Sequence, residues 1–181
     1  MRLFVWVCWV GLISLTAISL DKTPAAAEPG AAPRGASFAE LGQIKKFVSV
    51  AAQTQGTAEK LRLRSGELTD VMRALFLKSF PGVAFEMSGG PSAEGPERPR
   101  DVGFFICEVW TVGEEYMAAY HLDCNAGSYA TLRTPVTLWN WSILGYGPKD
   151  DVPDAIRKGL QNMIEEFSIA FYKARGEGVS R

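Results

Sequence analysis

The single histidine of the chain, His121, stands in the stretch YMAAYHLDCNAGSY (116–129), two residues before Asp123 and three before Cys124. An imidazole, a carboxylate and a thiol this close could serve three kinds of chemistry. They could bind a metal, form a Cys/His nucleophile pair, or supply an acid–base cluster completed by Glu108. Each needs its groups on one side of the backbone and within hydrogen-bond or coordination reach. The elements that carry them therefore decide the matter.

Residues 102–112 and 115–124 predict two strands of a hairpin turning at Gly113-Glu114. A two-residue turn there pairs Ile106 with His121, Glu108 with Ala119, Cys107 with Tyr120 and Phe105 with Leu122. One face collects Phe105, Cys107, Val109, Ala118, Tyr120, Leu122 and Cys124, carries no charge and is the expected core side. The other collects Phe104, Ile106, Glu108, Trp110, Met117, His121 and Asp123 and is the expected wet or binding side. Both cysteines thus point away from His121, which argues against a joint Cys/His metal site or a thiol–imidazole pair. Zinc sites also favour two ligands at tight spacing, which sixteen residues between Cys107 and Cys124 do not offer. No metal and no cofactor is expected.

For the cysteines the expectation is a disulfide, because an exported chain with one pair of thiols meets an oxidising compartment. Closing such a loop stabilises by roughly 3 kcal/mol in the chain-entropy view. In the register above Cys124 falls opposite Gly103, so the bond requires a bulge, a different turn or a curl at Asn125-Ala126-Gly127.

Export is read from the N-terminus. Arg2 precedes an uncharged apolar run over 3–20, and Ala25-Ala26-Ala27 follows Pro24 at a spacing that suits signal peptidase. Residues 1–27 are expected to be a cleaved signal peptide, with an uncleaved anchor as the competing reading, since about 20 apolar residues can span a bilayer. Residues 28–37, rich in Pro, Ala and Gly, form an expected flexible leader to one domain over 38–181. Without Arg2, Lys22 and Asp21 the mature chain holds 17 basic and 19 acidic side chains. That near balance leaves no electrostatic footprint for nucleic acid, or for a membrane surface beyond an uncleaved N-terminus.

A strand is expected over Ile44–Gln53, and a helix follows Ser65 with the stripe Leu68, Val71, Met72, Leu75, Phe76. Val83, Phe85 and Met87 alternate as a short strand, and 88–101 forms a loop rich in Gly and Pro. A fifth strand is expected over Thr131–Ser142, a turn over Gly145–Asp151, and a long helix over Val152–Arg175. The order β-α-β-β-β-α, with two amphipathic helices seeking one sheet face, predicts an α+β two-layer sandwich on a mostly antiparallel sheet. That order resembles small exported modules of bacterial envelope assemblies, such as the lipopolysaccharide-transport lipoprotein. The likeness is architectural and implies no activity.

Trp139 and Trp141 project to one face and form a candidate aromatic patch for sugar rings or a partner, or else pack between sheet and helices. The glycines show no phosphate-binding spacing, and no serine sits in a nucleophile elbow. The reading that emerges is a periplasmic or secreted bacterial binding or accessory module. It would meet an envelope protein through Glu108, Trp110, Met117, His121 and Asp123, or through a strand edge. The alternative is an envelope enzyme using Glu108, His121 and Asp123 as an acid–base cluster, acting on glycans.

Overall fold

The computed structural model describes residues 37–85, 101–113, 115–131 and 134–177. The expected signal peptide (1–27), the expected leader up to residue 36, Met87 and residues 88–100 of the expected loop lie outside them.

Among the described residues the chain forms an α+β fold: a five-stranded mixed sheet with three α-helices. In chain order these are α1 (Ser37–Leu41), β1 (Lys46–Gly56), α2 (Ser65–Ser79), β2 (Ala84–Phe85), β3 (Val102–Gly113), β4 (Met117–Thr131), β5 (Thr134–Pro148) and α3 (Val152–Ala174). A 3-10 turn over Ala58–Leu61 links β1 to α2. The sheet order is β2-β1-β3-β4-β5. β1 runs parallel to both β2 and β3, whereas β3–β4 and β4–β5 are antiparallel. The sheet is therefore mixed where a mostly antiparallel one was expected. The reason is α2, whose crossover returns the chain to run beside β1 in the same direction. The short helix α1, at the end of the expected leader, adds a third helix.

α2 and α3 meet the same sheet face, because their apolar stripes and the inward side chains of β1, β3, β4 and β5 share one cluster. Leu68, Met72 and Phe76 are buried on α2, and Ile156, Leu160, Met163, Ile164, Phe167 and Phe171 on α3. At its centre is a set of aromatic rings. Phe167 lies 5.0 Å from Phe105 and 5.1 Å from Trp139, and Phe76 stacks on Phe80 at 4.1 Å. Gly159 lets α3 approach β4 closely, since a Cβ there would come within 2.5 Å of Leu122 Cδ1.

In β1 the alternation is interrupted by a bulge between Phe47 and Ser49. Phe47 and Val50 both reach the helix-facing core, while Val48 joins Val102, Phe104 and Tyr129 in a smaller cluster. A strict period of two across Ile44–Gln53 therefore fails at this bulge. β5 also continues to Pro148, through residues 145–148 expected to turn. Gly145 pairs with Tyr120 on β4, and the Tyr120 ring occupies the space a Cβ on Gly145 would need. A cross-strand aromatic covering a glycine keeps such a residue within a ladder.

Candidate functional site

The β3–β4 pairing fixes where every candidate residue stands. Gly113 pairs with Ala118, so four residues separate the paired ends instead of two, and the register moves by four positions from the expected one. An even shift preserves the faces but changes every partner. Cys107 now faces Cys124, Glu108 faces Asp123, Trp110 faces His121 and Ile106 faces Asn125.

Cys107 and Cys124 are joined by a disulfide with their Cα atoms 4.0 Å apart, and both are fully buried. The bond lies on the helix-facing side, so neither thiol is available to His121. A structural disulfide of this kind is favoured in an oxidising compartment. No helix among the described residues is long and apolar enough to cross a membrane.

On the outer face the polar residues gather into a band across three strands. Asn140 Nδ2 donates to Asp123 Oδ1 at 2.6 Å and to Asn125 Oδ1 at 3.0 Å. Asn125 Nδ2 donates to Asp123 Oδ2 at 3.3 Å. Both oxygens of the Asp123 carboxylate thus accept from amides, a role sequence reasoning gave to neither asparagine. The signal was available: Asn125 and Asn140 share the parity of Asp123 once β4 and β5 pair. Trp110 Nε1 donates to Glu108 Oε2 at 3.3 Å, tying the indole to the other carboxylate of the band.

Beyond that band, toward the β3–β4 turn, the outer face becomes apolar. The register sets Trp110, His121 and Leu144 in one row across β3, β4 and β5, and Val112, Ala119 and Tyr146 in the next. Met117 pairs with Pro148 at the end. Seven large hydrophobic side chains are exposed among the described residues, and five of them (Trp110, Val112, Met117, Leu144 and Tyr146) stand on this one end of one face. Val112, Leu144 and Tyr146 are 71%, 76% and 80% exposed. Tyr116, in the adjoining turn, is exposed as well. Isolated exposed apolar residues are ordinary; a contiguous group rimmed by polar ones marks an interaction surface. Leu144 and Tyr146 lie beyond the expected end of the fifth strand at Ser142, whereas Val112 is legible from its parity with Trp110 in the expected strand 102–112.

Trp139 and Trp141 take the opposite face. Trp139 is 6% exposed and packs against Phe105 and Phe167; Trp141 is half-buried, edge-on to Trp139 at 6.3 Å. Their rings sit between sheet and α3, the packing reading of the pair.

The three groups of the acid–base reading share the outer face as expected, but each is held differently. Asp123 accepts from amides, Glu108 accepts from the indole, and His121 stands one row away in the apolar zone, opposite Trp110. Two clefts, of about 260 and 390 Å³, lie elsewhere, where Lys60, Leu61 and Lys149 line both; none of Glu108, His121 or Asp123 lines either one. Among the described residues no group of three His, Cys, Asp or Glu side chains is placed to hold a metal ion.

No protein-family model and no curated protein matches this chain.

Proposed function

We propose that this chain is an exported binding or accessory module of the bacterial periplasm that docks an envelope protein on the outer face of its sheet. In this reading the domain is a two-layer sandwich, with α2 and α3 covering one face and the β3–β4 turn end of the other face left for the partner. The observation that carries it is the clustering of Trp110, Val112, Met117, Leu144 and Tyr146 on one end of one face, bordered by Glu108 and Asp123. Large aromatic and Met side chains are the types that dominate interface energetics. The two carboxylates beside them suit a partner whose apolar anchors are flanked by Lys or Arg. His121 and Trp110, paired across β3 and β4, form the boundary between the two zones.

The test compares envelope proteins captured by the chain and by two variants. Leu144→Asp places a charge inside the patch, whereas Leu77→Asp places one on an exposed apolar residue of α2, outside it. A partner retained by wild type and Leu77→Asp but lost by Leu144→Asp supports the reading. A partner set indifferent to Leu144→Asp refutes it.

A further inference from the structure

β5 ends the sheet and, among the described residues, pairs on one side only, with β4. Its sequence, TPVTLWNWSILGYGP, contains no charged residue in 15 positions. Natural edge strands are usually blunted by charge, by proline, by bulges or by shortness, because their open backbone groups recruit another strand. Here the two prolines mark the ends, Pro135 and Pro148, and the irregularities in the ladder fall before Trp139. From Trp139 to Pro148 the strand pairs with β4 without interruption, which leaves an outer edge free of bulges.

The backbone groups on that edge can be assigned. A Cα separation of 4.0 Å marks Cys107 and Cys124 as a non-hydrogen-bonded pair, so the N–H and C=O of Cys124 turn toward Trp141 on β5. Alternate residues of β5, namely Asn140, Ser142, Leu144 and Tyr146, therefore turn their N–H and C=O groups to the open side.

We propose that two copies of this chain pair antiparallel through β5, about a two-fold axis at Ile143, to make one continuous ten-stranded sheet. Three features select a second copy of this chain as the occupant. An uncharged strand meets its own copy without like-charge repulsion, and an antiparallel self-pairing closes as an isologous dimer. The helix-facing side chains also taper along β5, from Trp141 through Ile143 to Gly145 and Gly147. Antiparallel pairing about Ile143 sets Trp141 opposite Gly145 of the second copy, where the Tyr120 ring already lies over the glycine and would meet the indole. A Cβ on Gly147 would meet nothing within 4 Å, so that end of the strand has room for a neighbouring ring. On the outer face the same register sets Leu144 opposite Ser142 of the second copy, with the two Leu144 side chains diagonal to each other across the axis. Diagonal neighbours lie about 7–8 Å apart, so the two exposed apolar patches join into one surface. The dimer goes beyond the docking reading and stands without it.

The experiment is sedimentation of the chain as the cell processes it, purified alone, over a range of concentrations. Wild type is expected to give the dimer mass and to dissociate on dilution. Leu144→Lys brings two cations together across the axis, and Ser142→Pro removes one edge N–H that the β4 ladder does not use. Each is expected to weaken self-association by roughly tenfold or more. A mixture of Ser142→Cys and Leu144→Cys chains is expected to cross-link more than either alone. A wild type that stays monomeric throughout, or a dimer untouched by both Leu144→Lys and Ser142→Pro, overturns the proposal. Because Leu144 lies in both the patch and the dimer seam, partner capture is read apart from the dimer with Val112→Asp, an exposed patch residue on β3 away from β5.

Discussion

Cys107 lies directly opposite Cys124 in the β3–β4 ladder, and the bond between them pins the register of every pair beyond it. One step along, that register sets Glu108 against Asp123; three steps along, it sets Trp110 against His121. A covalent link on the core side thus fixes the arrangement of the candidate docking face on the other. Reducing this bond in the folded protein should destabilise it by about 2–4 kcal/mol. Urea unfolding with and without reductant measures the difference, and Cys107→Ala/Cys124→Ala should reproduce it without reductant.

The aromatic core makes a second prediction. Phe167 is fully buried, with ring contacts to Phe47, Phe76, Phe80, Phe105, Trp139 and Phe171. Phe167→Ala should cost about 3–5 kcal/mol, from lost transfer energy and the cavity left behind. Thermal or denaturant unfolding reads it. An exposed residue of the same helix, such as Glu166, should tolerate Ala within about 0.5 kcal/mol.

Gly56 closes β1 with φ at +74°, and a Cβ there would collide with the carbonyl oxygen of Thr111. That oxygen already accepts from Thr57 N at 2.8 Å, so it cannot withdraw without breaking a hydrogen bond. Gly56→Ala should therefore destabilise by roughly 2 kcal/mol or more, from the left-handed backbone and the contact together. Gly66, where a Cβ would meet nothing within 4 Å, is the control: Gly66→Ala on α2 should be neutral or stabilising by up to about 1 kcal/mol.

Alkaline pH should weaken the fold through two tyrosines. Burial raises the Tyr120 phenol above its ordinary value; Tyr172 is raised by burial and then by Glu177, with Arg175 opposing. A folded-state pKa above the unfolded one means that the folded protein holds its proton more tightly. The associated stability is complete below about pH 10 and is lost as pH rises through the raised values. Phenolate absorbance should show two tyrosines titrating late, and Tyr120→Phe should remove one of them.

Much of this architecture is legible in the residues, and the failures have physical causes. The Val152–Ala174 helix declares itself through a sustained apolar stripe between Asp151 and Gly176. The two faces of the β3–β4 hairpin follow from parity, which survives any even shift of register. The partners do not follow, because turn length is set by residues 114–117, whose types do not favour one loop over another. Gly145 and Gly147 suggested a turn because glycine is common in turns. Only the ring of Tyr120, distant in sequence, makes a glycine serviceable in β5. The exposed patch was half visible as Trp110 and Met117; Leu144 and Tyr146 needed the continuation of β5 to join it. Asn140 likewise reaches Asp123 only once β5 is in register with β4.

Site-specific photo-crosslinking in living cells tests most directly whether the Trp110–Leu144–Tyr146 face is a docking surface. A photoreactive residue at Tyr146 should yield a discrete adduct with one protein other than a second copy of this chain. The same probe at Leu77, exposed on α2, should not. Identical adducts from both positions, or none from Tyr146, would contradict the account.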